Sequence, residues 1–190
     1  MINYILTART RVFWIVLHIL LGAVSILTPW ILIGWFYLVM LTGGIRIISK
    51  QRGSFVPIVY LIVYSTSFEL LARMSGTSPF IPYELGKYLL LLLLGFGILK
   101  GYRKGNIGWL MVFLLLPAAL FDMSGESTVR NIVFNLIGPV NVALAVVFFR
   151  KQEIDKENFV DSLRLLLYPL VSVLAFTVLG SPSLDRKSVV

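Results

Sequence analysis

Apolar residues in this chain come in long runs separated by short polar clusters, at positions 12–27, 30–45, 55–72, 80–99, 107–121, 131–149 and 163–179. Crossing the hydrocarbon layer takes about 17 to 25 apolar residues, fewer where neighbouring helices or thin lipid compensate. Helices can cross it because they satisfy their backbone hydrogen bonds internally. The pattern therefore predicts an all-α chain, a polytopic transmembrane helical bundle of about seven spans over residues 1–184. Only Thr28-Pro29 separates the first two runs. A proline lacks an amide donor and constrains the residue before it, so this point favours a tight turn and a helical hairpin.

Composition agrees with the pattern. With 58% apolar and 14% charged residues and a mean hydropathy of +0.89, the chain has too little polar surface to coat a water-soluble globule. A net charge of +8 raises the possibility of nucleic acid, but the basic residues sit in clusters between apolar runs instead of along one face, which excludes that partner. Twelve of the seventeen Lys and Arg fall on alternate loops: Arg9 and Arg11; Arg46, Lys50 and Arg52; Lys100, Arg103 and Lys104; Arg150, Lys151, Lys156 and Arg164. Cytoplasmic loops carry such an excess, so a cytoplasmic N-terminus and, after seven crossings, a C-terminus on the opposite face are expected. Arg9 and Arg11 before an apolar run, with Ala23-Val24-Ser25 imitating a cleavage site, also suit a secretory signal. The further spans favour an uncleaved first helix.

Chemistry is sparse. There is no cysteine, hence no disulfide framework or thiolate. His18 is the single histidine, so a metal site lacks ligands and His18 reads as a hydrogen-bonded packing residue. No Ser-His-Asp set or nucleotide loop is visible, no cofactor is implied, and the last apolar run lacks the lysine that a retinal Schiff base needs. The glycines read as packing and turn positions, and Trp14, Trp30, Trp35 and Trp109 as interfacial anchors.

The informative charges are those that topology does not explain. Glu69 and Arg73 lie four apart near the end of the third run, on one helix face, and Glu84 and Lys87 lie three apart in the fourth. Asp122, Glu126 and Arg130 precede the sixth run, which carries Asn131, Asn135 and Asn141 around Gly138-Pro139. Two readings stand side by side. In one, the pairs are structural and snorkel to the interface. In the other, they face an outward cavity in which Arg73, Arg130 and Lys87 suit a pyrophosphate, arginine through its bidentate fork and lysine as a compact charge. The amides beside the proline either line that site or pack helices.

Three segments, FELLARM at 68–74, PYELGKY at 82–88 and RNIVFNLIGPVNVAL at 130–144, occur in an order that resembles the bacterial O-antigen ligase and O-antigen polymerase-like membrane glycosyltransferases. The resemblance implies a helical bundle in the bacterial inner membrane that moves a glycan from a polyprenyl-pyrophosphate carrier to an acceptor glycan or lipid A-core, on the periplasmic face. It also implies that Arg73, Lys87 and Arg130 face the carrier's pyrophosphate while Glu69 and Glu84 orient them, with Asn135 nearby. Members of the family are longer and carry a periplasmic segment with further catalytic groups. The chain thus reads as the N-terminal part of such a protein, inactive by itself and with its catalytic residues unknown, and residues 185–190 read as a non-native tail. Two other classes stay open: a small transporter or channel, and a noncatalytic seven-helix scaffold or receptor.

Overall fold

The computed structural model describes residues 8–49, 55–78, 80–81, 85–101, 109–111, 113–114, 128–150 and 152–184. It is all-helical, with no strand among the described residues. The helices are α1 (Ala8–Ser25), α2 (Trp30–Ser49), α3 (Val56–Ser75), α4 (Leu85–Leu99), α5 (Thr128–Phe149) and α6 (Lys156–Leu184). Residues 109–111 and 113–114 are also helical. Most of the expected fifth span at 107–121 lies outside the described residues, as does the tail at 185–190.

Among the described residues three helical segments, fewer than the seven spans expected, are long and apolar enough to cross a membrane: Trp30–Ser49, Val56–Ser75 and Lys156–Gly180. Three apolar segments are shorter, Arg11–Ser25, Leu85–Leu99 and Leu136–Phe149. Two of these segments are parts of longer helices: α1 has 18 residues and α5 has 22, which at about 1.5 Å per residue reach about 27 and 33 Å, close to the roughly 30 Å of hydrocarbon.

Several boundaries differ from the hydropathy runs, each for a local reason. Helix α3 continues to Ser75 and stops at Gly76, whose left-handed φ of 68° turns the chain while its amide bonds the Ala72 carbonyl. Helix α4 starts at Leu85 instead of residue 80, because Phe80 and Ile81 are held in a turn by amide bonds to the Thr77 carbonyl. Helix α6 begins seven residues before its apolar run. Its start is fixed by Asp155, whose carbonyl accepts the Phe159 amide and whose side chain accepts both the Asn158 amide and the Asn158 side chain. A hydropathy window reads this polar turn as loop.

The chain forms two compact units, residues 1–85 with 155–190 and residues 86–154. In the first, α6 packs extensively on both α1 and α3, while α2 packs on α1 and α3. Trp14, Tyr60, Leu165 and Tyr168 form one buried cluster, and Gly22 of α1 meets Ser172 of α6 further along, so α1, α3 and α6 run parallel. Helix α2 runs antiparallel to α3, pairing Gly43 with Leu61 and Phe36 with Phe68. Its other side exposes Leu38, Leu41, Ile45 and Ile48, an apolar surface suited to lipid. In the second unit, Leu94, Ile98, Ala143, Val147 and Phe148 are buried. There the Asn141 amide donates to the Lys87 carbonyl at 2.9 Å, which ties α5 to α4. Helix α5 runs through Pro139, which leaves a backbone carbonyl of the preceding turn without its amide donor.

A tight helix approach occurs at Gly22, where an added Cβ would lie 2.2 Å from the Ser172 carbonyl oxygen. Gly34 has open space around it. Gly22→Ala is therefore expected to destabilise the protein by about 1–3 kcal/mol through overpacking, while Gly34→Ala leaves it at least as stable. Thermal unfolding of the two variants in one detergent compares them directly.

Candidate functional site

Of the residues that the sequence singles out, the described part of the structure brings together the side chains of Glu69 and Arg73, and joins the Asn141 side chain to the backbone of Lys87. Arg73 donates from Nε and Nη2 to Glu69 Oε1 within the last turns of α3, as their spacing predicts. The Arg73 side chain is 47% exposed and Glu69 18%, so the carboxylate is the inner member and holds an outward guanidinium. Both belong to the first unit. Lys87 belongs to the second, where it is partly buried and its carbonyl receives Asn141. Asn141 thus packs helices, one of the two roles that the amides of this run suggest. Glu84 lies outside the described residues. Arg130 and Asn135 lie in α5, with side chains outside the described set. No cluster of metal-ligating side chains occurs among the described residues.

A second feature, at the opposite end of the first unit, was not expected from the sequence. Trp14 is 8% exposed and Trp35 only partly exposed, so Trp14 turns its ring into the bundle instead of toward lipid. Trp30, by contrast, is 60% exposed beside the α1–α2 turn and stays compatible with anchoring. Beside the Trp14 and Trp35 rings sits His18, with no exposed surface. Its ring stacks on Tyr168 at 5.4 Å between centroids.

The hydrogen bonds around His18 fix its tautomer. Nδ1 lies 2.8 Å from the Trp14 carbonyl, which can only accept, so Nδ1 carries the proton. Nε2 of the neutral ring then accepts from the Tyr64 hydroxyl at 3.1 Å, and Tyr64 in turn accepts from Trp35 Nε1 at 2.7 Å. The chain from Trp35 through Tyr64 and His18 to the Trp14 carbonyl leaves every participating atom satisfied, the condition for burying polar groups in an apolar bundle. His18 is the hydrogen-bonded packing residue that its isolation in the sequence suggests.

These rings wall a cavity of about 50 Å³. Its sides include Trp14, Trp35, Tyr64 and Tyr168, with Thr42 and Arg46 contributed by α2. The surface is mostly apolar, with polar groups at a few points, the character of a small-ligand site. Beside it, the Tyr60 hydroxyl donates to Asn158 at 2.8 Å, and Arg164 pairs with Asp161 at 2.6 Å. The signal available in the sequence was the i, i+4 spacing of Trp14 with His18 and of Tyr60 with Tyr64, which places two ring pairs on single helix faces.

No protein-family model matches the chain, and no curated protein or solved structure matches it either. The fold and the site thus stand on their own geometry.

Tyr64 links two buried partners, so Tyr64→Phe strands Trp35 Nε1 and His18 Nε2 together. A loss of about 1 kcal/mol is expected, within the range for interhelical hydrogen bonds in membranes. Tyr37→Phe removes an exposed bond to the Phe80 carbonyl and should cost only a few tenths of that. Denaturant unfolding in mixed micelles measures both.

Proposed function

We propose that this chain is part of an integral membrane glycosyltransferase that moves a glycan from a polyprenyl-pyrophosphate carrier to an acceptor glycan in surface-polysaccharide assembly. The reading rests on the O-antigen ligase and polymerase-like order of the three motifs. The single structural observation that supports it is the Glu69–Arg73 pair within FELLARM. A guanidinium 47% exposed and braced by an inner carboxylate suits an anionic headgroup better than a buried packing role would. It lies at the C-terminal end of α3, whereas Arg46, near the C-terminal end of antiparallel α2, belongs to the other end of the bundle. The charge bias of the loops makes the Arg73 end extracytoplasmic in this proposal, in a multi-pass protein of about seven spans in the bacterial inner membrane.

In this mechanism Arg73 neutralises charge that grows on the pyrophosphate as the glycosyl bond breaks, and the family resemblance gives Lys87 and Arg130 the same kind of role. Cations held in place beforehand lower that barrier with little reorganisation. Glu69 and Glu84 keep the cations oriented, and Asn135 contributes hydrogen bonds to the carrier. The carrier's isoprenoid tail stays in the bilayer. Deprotonation of the acceptor hydroxyl falls to groups that this stretch of sequence does not identify.

One observation favours a second reading, a small transporter. Such a protein needs polar groups beyond the outer mouth, and Thr42, Arg46, Tyr64 and His18 provide them around the cavity at the opposite end. Solute flux into liposomes containing the purified protein would support that reading.

For the transferase, Arg73→Ala and Arg130→Ala should each abolish glycan transfer while leaving membrane insertion intact. The assay is complementation with the complete reading frame in a polysaccharide-producing strain that lacks its own ligase or polymerase. Unchanged glycan laddering on a gel would overturn the assignment.

A further inference from the structure

We propose that the aromatic cavity of the first unit binds the headgroup of an anionic phospholipid, with its acyl chains lying along the exposed face of α2. This site is separate from the proposed transfer site and does not rest on that activity. Three observations carry it.

The first is an unmatched donor. Trp14 lines the cavity and is 8% exposed, yet its Nε1 is buried with no hydrogen-bond partner among the described residues. A buried indole N–H ordinarily finds an acceptor, and a phosphate oxygen is one. The neighbouring network offers no alternative, because the Trp14 carbonyl, both His18 nitrogens, the Tyr64 hydroxyl and Trp35 Nε1 are already engaged with one another.

The second is charge. Arg46 contributes to the cavity wall, and a guanidinium beside an N–H donor selects an anion over a zwitterion or a neutral group.

The third is depth and continuity with lipid. Arg46 lies three residues before the end of α2 and Trp14 six residues after the start of α1, which places them about 4.5 and 9 Å inside the helix ends. That is where the interfacial layer meets the hydrocarbon. From Arg46 toward the middle of α2, Ile45, Leu41 and Leu38 form a stripe, each 47–63% exposed, along which acyl chains can lie. A free phosphate would use the cation and the donor but not this stripe.

The test uses the protein in vesicles, with Trp30 and Trp109 replaced by Phe so that fluorescence reports Trp14 and Trp35. Brominated phosphatidylglycerol should quench more strongly than brominated phosphatidylcholine at equal mole fraction. Arg46→Gln should lower the preference for the anionic lipid by about fivefold, the scale of one basic residue near an anionic surface. Lys156→Gln, the same charge change at an exposed position of the same end, should preserve it. Val39→Phe fills the cavity without altering charge and should also reduce quenching, so the proposal stays testable if Arg46→Gln does not fold. Equal quenching by the two lipids, a preference that survives both Arg46→Gln and Val39→Phe, or its removal by excess inorganic phosphate would each overturn the proposal.

Discussion

The first unit depends on how closely α6 approaches α1. At Gly22 the two backbones are near enough that even a methyl group on α1 would overlap the Ser172 carbonyl. Lipid tails are as apolar as leucine, so burial alone gives helices little reason to associate in a membrane, and intimate packing of small residues takes its place. The contact near Gly22 and Ser172 fixes the register of two parallel helices. One to two turns earlier, that register sets Leu165 and Tyr168 of α6 against Trp14 and His18 of α1. The same seating brings Asn158 to the hydroxyl of Tyr60 on α3. Helix α6 thereby joins α1 to α3 although 80 residues separate it in sequence from α3 and more from α1.

The polar network around His18 follows from that arrangement. In an apolar bundle an unsatisfied imidazole, phenol or indole is costly, and here one acceptor, the Trp14 carbonyl, sets the direction of three successive hydrogen bonds. The network holds three helices in register through its side chains, since Trp35, Tyr64 and His18 come from α2, α3 and α1. Trp14 Nε1 stands outside this set. Completing the chain uses the Trp14 backbone and leaves its side-chain donor over.

How much of this was legible in the sequence depended on whether the information was local. The helices at 30–49 and 56–75, the turn at Thr28-Pro29 and the Glu69–Arg73 pair follow from hydropathy, proline chemistry and i, i+4 spacing, and each could be read from a short window. The polar start of α6 could not, because Asp155, Asn158, Asp161 and Arg164 recur every three residues on a helix whose apolar run begins later. Nor could the cavity. Trp14 looks like an interfacial anchor in a linear reading, since burial is decided by partners on other helices. His18 was legible by elimination, as a lone histidine lacks companions for a metal site. Its actual partner, Tyr64, lies 46 residues away.

The same side chain stands in different surroundings at the two ends of this unit, and the two proposals above rest on that difference. Arg73 sits on the outer turns of α3 with its own carboxylate beneath it, so its position is fixed by a local pair and its outer edge stays in contact with solvent. Arg46 sits among tryptophan and tyrosine rings, where water is scarce and an electrostatic contact is screened less. A ligand at Arg73 must compete with Glu69 and with water, which favours a highly charged group such as a pyrophosphate. A ligand at Arg46 meets less water and gains apolar contact as well, which favours a singly charged headgroup with a long tail. In the two proposals it is therefore the surroundings, a braced carboxylate pair in one case and an aromatic wall in the other, that set which lipid-linked anion each arginine suits.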